Sequence, residues 1–250
     1  MDVVYEDNHI IIVAKESGEI IQGDKTGDEP LSERVKQYLK EKYQKPGAVF
    51  LGVVHRLDRP VSGLVIFART SKALTRLNRM FAEGQVHKTY WAIVESFRSG
   101  DQSSNLFTHN EKHPNIKSLT PDEKQTLTHW LVRNEKQNKS YAYDHEVPHS
   151  KKAVLEYRVI ARSERYSLLE VRLLTGRHHQ IRCQLAAIGL PIKGDLKYGA
   201  KRSNPDGGIS LLARRVEFVH PVSGETICVE APWHEECGLS PTKEAIEGVL

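Results

Sequence analysis

Short apolar runs, broken at close intervals by glycine, proline or polar clusters, recur along most of this 250-residue chain. Such a pattern leaves little room for long helices and demands that many short strands be paired. His9 to Lys15 is a β-branched run with polar ends and is predicted as a buried strand. Gly18 to Gly23, Val49 to Val54, Leu64 to Ala68 and Val86 to Glu95 are predicted as further strands. Ala153 to Ala161 and Tyr166 to Leu174 read as neighbours joined by a turn at Ser163-Glu164-Arg165. Arg215 to Val219 and Thr226 to Glu230 make a hairpin around Ser223-Gly224. Three stretches change period. Leu31, Val35 and Leu39 recur at helical spacing between Leu31 and Tyr43. Ser71 is placed to cap a helix with Leu74, Leu77 and Phe81 inward and Gly84 as its stop. His178 to Ile188 sets Ile181, Leu185 and Ile188 on one face and ends at Gly189. The expected class is α+β, with a mixed, mainly antiparallel central sheet and flanking helices.

With 39% hydrophobic residues the chain can bury one sizeable core, so residues 1–250 are expected to form a single domain. The polar stretch 99–125 reads as an insertion in it. The longest apolar run, Ile10 to Val13, cannot cross a bilayer, and the first residues carry acids where a signal peptide would carry bases. A cytoplasmic monomer with no membrane partner is expected. Cys183, Cys228 and Cys237 are scattered, without a C-x-x-C pair. His178 and His179 are adjacent, and neighbouring helical residues point about 100° apart. No metal is therefore expected. No phosphate-cradling glycine loop occurs, so no nucleotide cofactor is expected either. The net charge of +4 and the pI of 8.8 suit a nucleic-acid partner, and suit many proteins that have none.

Two clusters could carry chemistry. Asp58 lies between two strands in His55-Arg56-Leu57-Asp58-Arg59-Pro60-Val61-Ser62-Gly63. Rigid strands holding a loop are a common setting for reactive groups, but a solvated surface turn has the same local sequence. Thr175-Gly176-Arg177-His178-His179-Gln180-Ile181-Arg182 follows a strand and opens a helix. Helix-start amides with adjacent bases suit an anion such as phosphate, and a plain basic helix end reads identically. Tyr90 by itself fits core packing in a strand, sharing a face with Val86, Lys88, Ala92 and Val94.

Taken in order, three segments resemble the RluA-type pseudouridine synthases, which modify ribosomal and transfer RNA. They are His55-Arg56-Leu57-Asp58 with Ser62-Gly63-Leu64, then Lys88-Thr89-Tyr90-Trp91-Ala92, then Gly176-Arg177 through His179-Gln180-Ile181-Arg182 with Gly194-Asp195. The likeness begins at Tyr5-Glu6-Asp7 and runs nearly to Trp233. It implies that Asp58 is a nucleophile, that Arg182 pairs with it, and that Tyr90 stacks on the target base. Arg56 would fill the space of a flipped base. His55, Arg177, His179 and Gln180 would meet RNA or line the site wall. It implies no cofactor and a partner in transfer RNA or 23S-type ribosomal RNA. Unlike in many relatives, no separate N-terminal RNA-binding module is expected. A non-catalytic RNA-binding protein on the same fold is the alternative. Departures from the family pattern include Glu16 after Lys15, Val61 before Ser62, and Gln184 where histidine is common.

Overall fold

The computed structural model describes residues 1–95 and 123–233. Most of the expected insertion, 99–125, lies outside the described residues, as does Cys237. In chain order the elements are β1 (Asp2–Glu6), β2 (Ile10–Lys15), α1 (Leu31–Lys42), β3 (Gly52–Val53), β4 (Ser62–Ala68), α2 (Ser71–Ala82), β5 (His87–Glu95), β6 (Gln125–Asn134), β7 (Lys139–Tyr143), β8 (Lys151–Arg162), β9 (Tyr166–Leu173), α3 (Gln180–Ala187), β10 (Leu211–Val219) and β11 (Thr226–Glu230). Within the two units described next, only β4 and β10 run parallel; their other strand pairs are antiparallel. The class is the α+β, mixed and mainly antiparallel one expected.

The chain divides into two compact units. One holds Met1–Lys88, Asp206–Gly208 and Leu212–Pro232; the other holds the described parts of Thr89–Pro205, Ile209–Leu211 and Trp233.

In the first unit, β4 is the organising strand. One edge pairs with β2 along its length, from Ile10 opposite Ala68 to Lys15 opposite Gly63. The other edge is shared: β3 takes Phe67 and Ala68, and β10 takes Ser62 and Gly63. Gly63 is required there. Its φ is +113°, and a Cβ would lie 2.4 Å from the carbonyl oxygen of Ala213. Strand alternation sends Ile10, Ile12, Leu64, Ile66 and Ala68 to one face, where Ala73, Leu77 and Met80 of α2 cover them. Burying a side chain such as Leu77 contributes about 2 kcal/mol. The N-cap of α2 is Thr70, one residue before the expected Ser71, and its hydroxyl accepts from the Ala73 N–H at 3.2 Å. Gly18 to Gly23 is no strand. Ile20 and Ile21 are buried, but their carbonyls accept from Leu31 and Ser32 at the start of α1, so the segment caps a helix instead of joining a sheet. Val49 to Val54 shrinks to the two residues of β3.

The second unit is an antiparallel sheet in the order β5-β9-β8-β6-β7. Leu131, Ala142 and Ala153 on one face pack against Cys183 and Ala186 of α3. Trp91, Ile93, Ile160 and Leu168 pack with Trp233 in a separate cluster. Helix α3 starts at Gln180, two residues later than expected, because His179 takes a left-handed conformation, φ +52°. Seven of its eight residues are buried, so it is a core helix rather than an amphipathic one.

Candidate active site

Asp58, half-buried, heads a tight turn in the first unit: the Val61 N–H donates to its carbonyl at 3.0 Å. The three carbonyls that follow are all taken by residues 15–18. Gly18 N–H donates to Arg59 O at 2.9 Å, Ser17 Oγ to Pro60 O at 3.4 Å, and Lys15 Nζ to Val61 O at 2.5 Å. Lys15 Nζ also reaches Arg59 O at 3.0 Å and Glu16 O at 2.9 Å. The lysine is 2% exposed. Burial pushes its ammonium down to about 8, against the opposing pull of the Glu19 and Asp58 carboxylates. Arg56 and Arg59 are both exposed, and Arg59 turns its guanidinium back to Gly18 O and Asp28.

His55 faces inward. Its Nε2 accepts the Ile66 N–H at 3.0 Å, occupying the stretch of the β4 edge between β3 and β10. Its ring stacks on Phe81, centroids 4.8 Å apart, and Lys88 Nζ lies 5.5 Å from the Phe81 centroid. Burial first, then the charge of Lys88, pushes His55 down to about 3. The ring is therefore neutral, as an acceptor at Nε2 requires.

In the second unit, Tyr90 stands on β5, 8% exposed, opposite Val171, which is in turn opposite Tyr157. Alternation along β8 puts Tyr157 and Ala153 on one face, so Tyr90 points to the side of the sheet that α3 covers. Arg182 lies on α3, 5% exposed, in a two-pronged ion pair with Asp195: Nε to Oδ2 at 2.7 Å and Nη2 to Oδ1 at 2.9 Å. Its guanidinium carbon is 5.1 Å from the centroid of the Tyr198 ring. The Tyr198 hydroxyl accepts from the Ser140 N–H at 2.8 Å and is hydrogen-bonded to His179 Nδ1 at 2.9 Å. Burial, reinforced by Arg182 and other nearby bases, pushes His179 down to about 2.

These contacts revise the basic helix start expected from the sequence. His179 is a neutral, buried link rather than a cation. Gln180 is 3% exposed; its Oε1 accepts from Arg177 N–H and Thr175 Oγ1, and its Nε2 donates to Val154 O. Gln180 thus closes the turn that leads into α3. Arg177 is exposed, with Nε on Lys152 O at 3.1 Å. Gln184 is fully buried, its Nε2 3.1 Å from His129 Nδ1. Among the described residues no group of three or more His, Cys, Asp or Glu comes together as metal ligands would.

Sequence reasoning gave no role to Lys15 or Asp195. For Lys15 the signal was present: period two places it on the same face as Ile11 and Val13, both fully buried. For Asp195, thirteen residues beyond Arg182, no local spacing rule applies.

The RNA pseudouridylate synthase family model matches residues 9–187, so the chain belongs to that family. It is an RNA pseudouridine synthase, an isomerase acting on uridine in RNA. Within the family it is of the RluA type. The chain is 30% identical over 249 residues to ribosomal large subunit pseudouridine synthase D of Xylella fastidiosa, covering 94% of this chain and 67% of the relative. It is 30% identical to the uncharacterized RNA pseudouridine synthase YhcT of Bacillus subtilis, over 93% of this chain and 68% of that one. It is 27% identical to tRNA pseudouridine synthase C of Pectobacterium carotovorum, over 100% of this chain and 64% of that one. In fold it is similar to human RNA pseudouridylate synthase domain containing 4, with TM-score 0.68 and 18% identity over 92% of this chain and 88% of that one.

Proposed function

We propose that this protein converts a specific uridine of a structured transfer RNA or large-subunit ribosomal RNA to pseudouridine, with Asp58 as the nucleophile. The bond between the ribose anomeric carbon and N1 breaks. The base turns while held, and a bond from the same carbon to C5 replaces it. C5 loses a proton and N1 gains one, so nothing is oxidised or hydrolysed. The carboxylate attacks either the anomeric carbon or C6 of the uracil. Arg182 favours the ionised carboxylate, and Tyr90 stacks on the uracil and assists the proton leaving C5. The target leaves its stack at a cost of about a few kcal/mol, and the exposed Arg56 fills the space behind it. Arg177, also exposed, meets the RNA backbone.

The observation that carries this reading is the turn at Asp58. A carboxylate whose next three carbonyls are fastened to a neighbouring strand end has its backbone preorganised, as a nucleophile needs and a solvated surface turn does not. The test is Asp58→Asn, assayed for pseudouridine in transfer RNA and ribosomal RNA from a strain lacking the protein. The variant is expected to fold, bind RNA and form no pseudouridine. Full activity in it would refute the assignment of Asp58 as the nucleophile.

A further inference from the structure

We propose that the sheet face of the second unit opposite α3 is an RNA-stacking platform: Trp130, Tyr141 and Tyr143 take unpaired bases, and Lys139 and Lys152 take the phosphates between them. The inference borrows from the family only that the substrate is RNA, and it does not need Asp58 to be the nucleophile. Helix α3 covers one face of this sheet, against Leu131, Ala142 and Ala153. Alternation sends the residues between these to the other face. There Tyr143 of β7, Trp130 of β6 and Lys152 of β8 stand opposite one another in a row across three strands. Tyr141 lies two residues from Tyr143, about 7 Å along the same face. Both tyrosines are 37% exposed, Trp130 is half-buried and Lys152 is exposed. The Tyr141 hydroxyl donates to Gln137 Oε1, which steadies the ring in its outward position.

The charge on this face selects RNA over a protein partner. Lys152 Nζ lies 6.0 Å from the Trp130 centroid, and Lys139 Nζ lies 5.6 Å from that of Tyr141. Lysine is depleted where two proteins bury a common surface. Rings interleaved with cations are what single-stranded RNA requires, a π-face for a base and a charge for a phosphate. The carboxylates of β8 and β9 on this face meet arginines: Arg158 donates to Glu170 at 2.7 Å, and Glu156 stands opposite Arg172. The basic surface also turns the corner of the sheet. Strand β7 ends the strand order, and Lys139 Nζ is 5.1 Å from the ring centroid of Tyr198, which packs on the α3 side. Lys197 Nζ donates to the carbonyls of Gln137 and Asn138, in the turn from β6 to β7, at 3.4 and 3.1 Å. Tyr90 points to the α3 side, so the bases on the platform are distinct from the uracil proposed to stack on Tyr90.

The experiment titrates the full chain with an oligouridylate of about 12 nucleotides, read by tryptophan emission and by anisotropy of a labelled copy. Wild-type emission is expected to be quenched, and Trp130→Phe is expected to abolish the quench while affinity changes less than about threefold. A quench that survives in Trp130→Phe overturns the proposal, as does a wild type with none. Tyr143→Leu keeps an apolar side chain and removes the ring. It is expected to weaken binding about tenfold, and unchanged affinity overturns the proposal. Lys152→Gln is expected to lower the slope of log affinity against log salt by about 0.7; an unchanged slope overturns the proposal. Should the variants fail to fold, crosslinking of wild type to an oligouridylate carrying 4-thiouridine decides. Crosslinks are expected on β6, β7 or the start of β8, and crosslinks confined to other segments overturn the proposal. A dimer that Tyr143→Leu dissociates, with RNA affinity unaltered, assigns the face to a second copy of the chain and overturns it too. All of these readouts are of binding, not turnover. An active Asp58→Asn therefore sinks the nucleophile and leaves the platform standing, and an unaffected Tyr143→Leu sinks the platform alone.

Discussion

Replacing Asp195 by asparagine isolates the buried ion pair that holds Arg182. The two side chains are 5% and 1% exposed, so neither charge has water to fall back on. The substitution keeps shape and removes one charge, so the guanidinium loses the charged fork that Asp195 gives it. Breaking a buried pair from one side costs about 3–5 kcal/mol, because the surviving charge keeps its desolvation penalty. In a protein of this size that is a fall in Tm on the order of 10 °C. Removing both charges together, as Arg182→Met with Asp195→Leu, is expected to cost far less than the sum of the single losses. The assay is thermal and urea unfolding of Asp195→Asn and of the four members of that cycle, alongside pseudouridine formation. The asparagine variant is also expected to lose activity, since an arginine freed from its fork no longer holds one orientation. A loss of under about 1 kcal/mol in Asp195→Asn, or strictly additive single losses, would refute the view that this pair fixes Arg182.

Four further outcomes are expected. Gly63→Ala puts a methyl 2.4 Å from a backbone oxygen at φ +113°, and a loss of more than about 3 kcal/mol in urea unfolding checks it. Lys15 binds its proton less tightly folded than unfolded, so between pH 8 and about pH 10.4 the unfolded chain carries the extra proton and stability from this group rises with pH. Wild type should therefore gain about 2 kcal/mol on Lys15→Met by about pH 9.5 in urea midpoints. His55 and His179 are both neutral when folded, with titrations held near 3 and 2, so the stability they contribute is lost as pH drops below about 6.5; acid unfolding of His179→Phe should be less steep than that of wild type. Arg177→Ala should reduce the salt dependence of RNA affinity by about one counter-ion, and His179→Phe should leave it alone, in binding titrations at several salt concentrations.

The strands and helices were readable because their periods are clean. The run Ile10 to Val13, the pattern of Leu31, Val35 and Leu39, and the hairpin around Gly224 all matched. What failed to read were places where the backbone bonds to something other than its own element. Ile20 and Ile21 look like strand residues, but their carbonyls serve a helix start. His178 and His179 look like the first turn of a helix, but a left-handed His179 delays it. Charge was harder still. His55, His179 and Lys15 are basic by residue type, and burial changes what each does: the two histidines are neutral and the lysine holds its proton less tightly. Burial is set by partners far away in sequence, so local pattern cannot report it. Asp58, Tyr90 and Arg182 were singled out by resemblance, and spacing alone left each of them open.

The acceptors that tie down residues 59–61 are main-chain oxygens, present whatever side chains stand there. Sequence drift at Arg59 or Val61 can therefore alter the surface without moving the carboxylate beside it. The donors are less forgiving, since Gly18, at φ +88°, and Lys15 each supply an atom that few replacements could. Anyone transplanting this carboxylate-bearing turn into another scaffold would have to carry the end of β2 along with the loop, because the loop by itself contains the acceptors and none of the donors.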